Sequence, residues 1–256
     1  MTVDIERDGA VLVATLNRPD KKNALTGAMY RALREALLAA SADKDIGAVM
    51  VTGAGGAFCA GNDIGDFLAE NQRQSEGARS SPGGEFIRTL ARFDKPLVAA
   101  VEGAAIGVGT TMCLHCDLVY AAPSARFAMP FVNLGLVPEA GASMLAPRRF
   151  GAAVASELLL MGEAIDAARA REIGLVNEVA PAEALKAHAL GKAKALAAKP
   201  RAALLATRKL MRGDAEALYA HMEKELVAFA EALKSPEARA AFEAFAGRGK
   251  NLRWDR

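Results

Sequence analysis

Glu139 is the carboxylate whose neighbours best suit it to moving protons. It follows Leu136-Val137-Pro138 and precedes Ala140-Gly141-Ala142, an apolar setting just ahead of an expected helix. Desolvation in such a place raises a carboxyl pKa, as a group that takes and returns a proton requires. The same residue also reads as an ordinary first-turn glutamate drawn to a helix dipole. Pattern alone does not separate the two.

Two glycine loops offer a second kind of chemistry. One reads Gly53-Ala54-Gly55-Gly56-Ala57-Phe58-Cys59-Ala60-Gly61-Asn62-Asp63-Ile64, the other Val101-Glu102-Gly103-Ala104-Ala105-Ile106-Gly107-Val108-Gly109-Thr110. Glycine lets a backbone N–H approach a ligand closely, and a helix N-terminus leaves N–H groups unpaired. Two such donors converging on one point form an oxyanion hole. The plainer alternative is a pair of tight strand-to-helix connections. A dinucleotide fingerprint is excluded, because Met112 stands where the third glycine belongs and no acidic residue closes the next strand. No Walker-type loop is present.

Other candidates carry less. Cys113-Leu114-His115-Cys116 has CxxC spacing but falls inside an expected helix with no second pair, so buried small side chains are expected over a metal or redox site. His188 and His221 sit in polar helical stretches and read as solvated; Asp63 reads as a helix cap. Lys192, Lys194, Lys199, Arg201, Arg208, Lys209 and Arg212 read as an exposed helix surface, with a phosphate contact as the alternative.

The elements that must position these groups follow from periodicity. Val3 to Arg7 and Val11 to Leu16 alternate around an Asp8-Gly9 turn; Thr26 caps a helix carrying Met29, Leu33, Leu37 and Leu38 inward. Ile46 to Thr52, Pro96 to Val101 and Leu118 to Ala121 read as buried strands, with helices over 107–115 and from Gly141. Asn71 to Gly84 reads as a flexible surface segment. From Pro181 the chain is helical, broken near Pro200, Gly213 and Ser235-Pro236. An α/β (α+β) fold is expected, with a core over residues 1–195 and a helical region over 196–256.

Composition narrows the partners. The 256 residues are 52% hydrophobic, 24% charged and 5% aromatic, with a formal net charge of +2. That excludes a disordered chain, and it leaves no basic field for nucleic acid or a membrane surface. No run of 18 apolar residues and no apolar N-terminal leader occur, and three cysteines are too few for a disulfide framework. A cytoplasmic protein is expected.

The segments Asn17-Arg18-Pro19 with Asn23-Ala24-Leu25, Phe58 to Ile64, Val101 to Asp117, Phe127 to Gly141 and Gly174-Leu175-Val176 together resemble the crotonase (enoyl-CoA hydratase/isomerase) superfamily. The resemblance implies a spiral of ββα turns with a helical C-terminal trimerisation region, trimers often pairing into hexamers. It implies an acyl-CoA substrate gripped by the N–H groups of Ala60 and Val108, with Glu139 as the catalytic acid/base. Lys22, Ala24 and Leu25 are expected along the CoA, Asp63 and Ile64 near its adenine, and Phe131, Leu136 and Phe67 along the acyl chain. Lys250 is expected either to reach a neighbouring subunit's CoA phosphate or to be solvated. No metal and no cofactor beyond coenzyme A in the substrate is implied. Hydratases of the family hold water between two glutamates; Thr111 and Phe131 stand at those positions here. Glu139 instead matches the single base of the Δ3,Δ2-enoyl-CoA isomerases, with ring-modifying isomerases as neighbours. Hydratase or other crotonase chemistry, and a non-catalytic acyl-CoA-binding protein, are the alternatives.

Overall fold

In the computed structural model, which describes residues 2–66 and 81–247, a sheet forms where the apolar runs predict one. Strands β1 (Val3–Asp8) and β2 (Val11–Leu16) make an antiparallel hairpin in which Asp8 pairs with Val11. Its two-residue loop is therefore Gly9-Ala10, one position beyond the expected Asp8-Gly9, with Gly9 at φ 61°. Strands β3 (Ala48–Gly53), β4 (Leu97–Val101), β6 (Leu118–Ala121) and β9 (Glu178–Val179) add in parallel, giving the order β1-β2-β3-β4-β6-β9. A second sheet pairs β5 (Ala104–Ile106), β7 (Arg126–Ala128) and β8 (Ile165–Asp166).

The parallel strands read as continuous apolar runs because both faces of the sheet are covered. On one face Val11, Val13, Met50, Val98 and Tyr120 pack under Leu185, Ala189 and Ala193 of a helix spanning Ala182–Ala197. On the other lie Leu16, Val49, Val51, Val101 and Val119, beneath α1 (Gly27–Ala42) and α2 (Pro82–Arg92). Thr26 caps α1 as expected, its side chain accepting from the Met29 N–H at 3.3 Å. Met29, Leu33 and Leu37 are buried, but Leu38 is 45% exposed, one step off the inward stripe.

The expected flexible segment lies outside the described residues as far as residue 80. Its end is a helix start instead: Ser81 caps α2, and Pro82 to Gly84 form its first turn. Breaker residues fit there, since Pro at the first helical position gives up an N–H that has no partner anyway. The C-terminal helices break where expected: α8 (Arg201–Arg212), α9 (Ala215–Ala232) and α10 (Pro236–Gly247). Helix α9 packs on α2 through the Arg88–Glu223 ion pair and Arg92 over the Tyr219 ring. No helix among the described residues is long and apolar enough to cross a membrane.

The loop after β2 is tied to the loop after β3 by one amide. Asn23 is fully buried at φ 57°; its Oδ1 accepts the Arg18 N–H at 2.8 Å, and its Nδ2 donates to the Ala54 and Ala57 carbonyls at 2.9 and 2.7 Å. Removing a buried amide leaves its partners unpaired, at a cost of roughly 1–3 kcal/mol each. Asn23→Ala should therefore lower the unfolding free energy by at least about 3 kcal/mol in a denaturant titration, with the slope unchanged.

Candidate active site

Three extended pieces lie side by side at the C-terminal ends of β3 and β4. Cys59 pairs with Ala105 through Cys59 N–H to the Ala104 carbonyl (2.7 Å) and Ile106 N–H to the Cys59 carbonyl (2.8 Å). Leu25 pairs with Asn62 through Leu25 N–H to Gly61 O (2.8 Å) and Asp63 N–H to Leu25 O (2.9 Å). Helix α3 (Val108–Leu114) then starts against this platform. Gly107, at φ 56° and ψ −118°, makes the turn into it, and a Cβ on Gly109 would lie 2.6 Å from the Cys59 carbonyl oxygen. Both positions require glycine: the first for its conformation, the second for the close approach.

This pairing decides which amide hydrogens are open. The Ala60 N–H donates to the Lys22 carbonyl at 2.9 Å, so Ala60 is not the free donor the sequence reading assigned. In a parallel bridge the residue flanked by both bonds turns its own N–H the other way. Asn62 is that residue, and no backbone or side-chain acceptor among the described residues takes its N–H. Val108, the first residue of α3, also has no acceptor for its N–H among the described residues, as first-turn residues commonly do not. Both residues line one cleft of about 600 Å³, a size typical of small-molecule sites.

Glu139 enters the same cleft. It is only 9% exposed, and the Thr111 hydroxyl of α3 donates to its Oε1 at 2.5 Å. Burial pushes its carboxyl up to about 7; the Thr111 bond works against that and the Glu225 charge adds to it. Ala60, Lys22, Ala24, Asp63, Ile64, Phe131 and Leu136 line the cleft too, so the structure brings these sequence-named residues together. Leu25 lines a smaller adjoining cavity of about 50 Å³, which shares Asn62, Glu139 and Phe229 with the first. Phe67 and Lys250 lie outside the described residues.

Asp63 caps as expected, its Oδ1 accepting the Asp66 N–H at 3.1 Å, and its other oxygen pairs with Arg18 at 2.8 Å. Burial opposes its ionisation, yet the Asp66 N–H and the Arg18 guanidinium hold its carboxyl below the usual range. Cys113 and Cys116 are buried and turn their thiols to the Gly109 and Met112 carbonyls; burial pushes the Cys116 thiol up to about 12. They are packing groups. Lys192, Lys194, Lys199, Arg201 and Lys209 are exposed, whereas Arg208 is buried with its Nε on Asp117 at 2.8 Å, and Arg212 also reaches Asp117. His188 is partly buried against Glu178 at 3.1 Å, and His221 lies 2.8 Å from the Ser143 hydroxyl, so neither is simply solvated.

Several lining residues had no local signal. Tyr30 donates to the Asn62 side-chain oxygen at 2.5 Å; burial first, then the nearby Glu139, keeps its hydroxyl protonated well above the ordinary range. Phe229 and Phe242, from α9 and α10, close the cleft from far along the chain. The pairing of Leu25 with Asn62 could have been sought in the sequence only by threading the loop after β2 beside the loop after β3.

The chain matches the enoyl-CoA hydratase/isomerase family over residues 6–255. It is 36% identical over 222 residues to the 2,3-dehydroadipyl-CoA hydratase of Escherichia coli (strain K12), covering 86% of each protein. It is 37% identical over 224 residues to enoyl-CoA delta isomerase 2 of Rattus norvegicus, covering 86% of this chain and 57% of that one. The fold superposes on the crystal structure of an enoyl-CoA hydratase/isomerase from Pseudoalteromonas atlantica T6c with a TM-score of 0.91 and 39% identity, over 97% of this chain and 98% of the other. The expected ββα spiral core with C-terminal helices is therefore the observed one, and the chain belongs to the enoyl-CoA hydratase/isomerase family, whose enzymes act on CoA thioesters.

Proposed function

We propose that this enzyme moves the double bond of a 3-enoyl-CoA into conjugation with the thioester. The observation that carries the reading is a single buried carboxyl, Glu139, in the same cleft as two unpaired backbone N–H groups. The thioester oxygen accepts from Asn62 N–H and Val108 N–H. Glu139 takes a proton from C2, the electron pair of that C–H bond forms the enolate, and the negative charge collects on the gripped oxygen. The protonated Glu139 then returns the proton to C4, and the C3=C4 bond becomes C2=C3. Each donor aimed at developing charge contributes roughly 3–4 kcal/mol in a water-poor site.

Hydration is the second reading, because the relatives carry hydratase as well as isomerase names. It asks for a second carboxylate to hold the water, and the positions where the family keeps them are Thr111 and Phe131. Of the two other acids lining the cleft, Asp63 is paired with Arg18 and Asp20 is exposed at the rim. Thr111 spends its hydroxyl proton on Glu139. The apolar side chain of Phe131 has no role in proton transfer. The substrate supplies the only coenzyme this mechanism uses.

We also propose that the chain works as a homotrimer or a dimer of trimers. Val132, Leu160 and Met161 are 47%, 65% and 58% exposed on two short helical turns held together by the Asn133 Nδ2 to Met161 carbonyl bond. Apolar side chains grouped this way mark an interaction surface. Light scattering should give three or six times the mass of the chain; a monomer at micromolar concentration overturns this.

Glu139→Gln should lower kcat for 3-enoyl-CoA by at least a thousandfold while thioester binding stays within a few fold. The wild-type kcat should rise with pH through the pKa of Glu139, about 7 before substrate binds. Formation of a 3-hydroxyacyl-CoA from 2-enoyl-CoA that survives in the variant would replace isomerisation with hydration. Stability should move the opposite way to activity. A carboxyl raised in the folded state favours folding while it is protonated, and that contribution is lost as pH climbs through about 7. Glu139→Gln should accordingly raise Tm relative to wild type more at pH 8.5 than at pH 5.5.

A further inference from the structure

We infer that Glu225 is a positioning residue for Glu139: its carboxylate, reaching across from α9, fixes the left-handed turn at Ala140–Gly141 that aims the Glu139 side chain into the cleft. The inference rests on Glu139 acting as the acid/base.

The turn itself calls for such a device. Ala140 sits at φ 57° and Gly141 at φ 74°. A residue with a Cβ in the left-handed region is strained and persists only where its surroundings over-determine it. Two sets of contacts do so here. On one side, the buried His115 ring lies with Nε2 2.7 Å from the Ala140 carbonyl. Burial pushes that imidazole down to about 4, so it is neutral and carries its hydrogen on the nitrogen facing the carbonyl. On the other side, Glu225 accepts from Gly141 N–H at 2.6 Å through Oε2, and from Ser143 N–H at 2.9 Å and the Ser143 hydroxyl at 2.5 Å through Oε1.

These are three donors on one buried acceptor, two of them the open amides ahead of and at the start of the helix Ala142–Phe150. The Ser143 hydroxyl donates its hydrogen bond to Glu225, so its oxygen is left to accept from His221 Nε2, which lies one turn before Glu225 on α9. The backbone approach is equally tight: a Cβ on Gly141 would meet Leu218 of α9 at 2.6 Å. The same helix contributes Leu226 and Phe229 to the cavity walls. Docking of α9 thus closes the cleft and sets the direction of its acid in one step.

Glu225 has an electrostatic consequence as well. Its negative charge adds to the burial that raises the Glu139 carboxyl. The groups facing Glu139 among the described residues are Thr111 from α3, Tyr30 from α1, Cys59 from the loop after β3, and Glu225 from α9. Burial raises the Glu225 carboxyl too, and the Ser143 and Gly141 donors with the nearby His221 work against that in favour of its charged form.

Glu225→Gln replaces one acceptor oxygen by a donor that opposes an N–H, and it removes the charge. With the thioester that wild type turns over, kcat should fall ten- to a hundredfold at a KM within threefold. The acidic limb of its pH profile should move to lower pH, because Glu139 ionises more easily without the neighbouring charge. Ser143→Ala keeps the charge and removes one donor; its kcat should fall about three- to tenfold with the limb in place. If Glu225→Gln does not fold, Ser143→Ala decides: that loss at unchanged KM supports the inference, and a wild-type kcat overturns it. Wild-type kcat and limb in a folded Glu225→Gln also overturn it. Glu139→Gln separates the two readings: if it retains activity, the acid/base assignment fails and this inference with it. If it is inactive while both other variants behave as wild type, only the positioning role is lost.

Discussion

The site is organised by a carboxyl kept out of water beside amide hydrogens that find no acceptor among the described residues. Glu139 owes its raised pKa first to burial, and its direct partner among the described residues is a neutral hydroxyl. A paired cation would have left it a permanent anion, too weak a base for the α-proton of a thioester. The open N–H groups of Asn62 and Val108 are the complement. They stabilise negative charge only when it arrives on the substrate, which is where catalysis gains over mere binding.

Several amides around those two are satisfied by the platform itself. Cys59 pairs with Ala104, Ala60 with Lys22, and Asp63 with Leu25, so the platform spends its hydrogen bonds on either side of Asn62. Asn23 closes the same structure from behind by holding two carbonyls of the β3 loop. The sheet is therefore more than a support. Its parallel register brings the ends of β3 and β4 level, and the loops leaving them continue the pairing beyond the strands.

Much of this was legible in the sequence. Strands β1 to β4 and β6, the Thr26 cap, the two glycine loops and the breaks among the C-terminal helices follow from local periodicity and from residues with one conformational use, whereas β5, β7, β8 and β9, two or three residues each, are too short to show a period. Glu139 stands out by its apolar neighbours, and burial is the main cause of its raised pKa. The donor in the first loop was misassigned to Ala60 because amide direction depends on which strand lies alongside, and that partner, Leu25, comes from a distant loop. Helix α2 was masked by breakers that belong in a first turn. Glu225, Phe229 and Phe242 carried no motif at all; their meaning lies in a tertiary contact, 84 positions from Gly141 in the case of Glu225.

The most direct test follows the proton. A 3-enoyl-CoA deuterated at C2 is turned over in ordinary water, and the 2-enoyl product is read by mass spectrometry and NMR. One carboxyl serving both carbons predicts that a measurable share of the deuterium reappears at C4, and that Glu139→Gln gives no product. Complete loss of the label, with turnover persisting in that variant, would contradict the account.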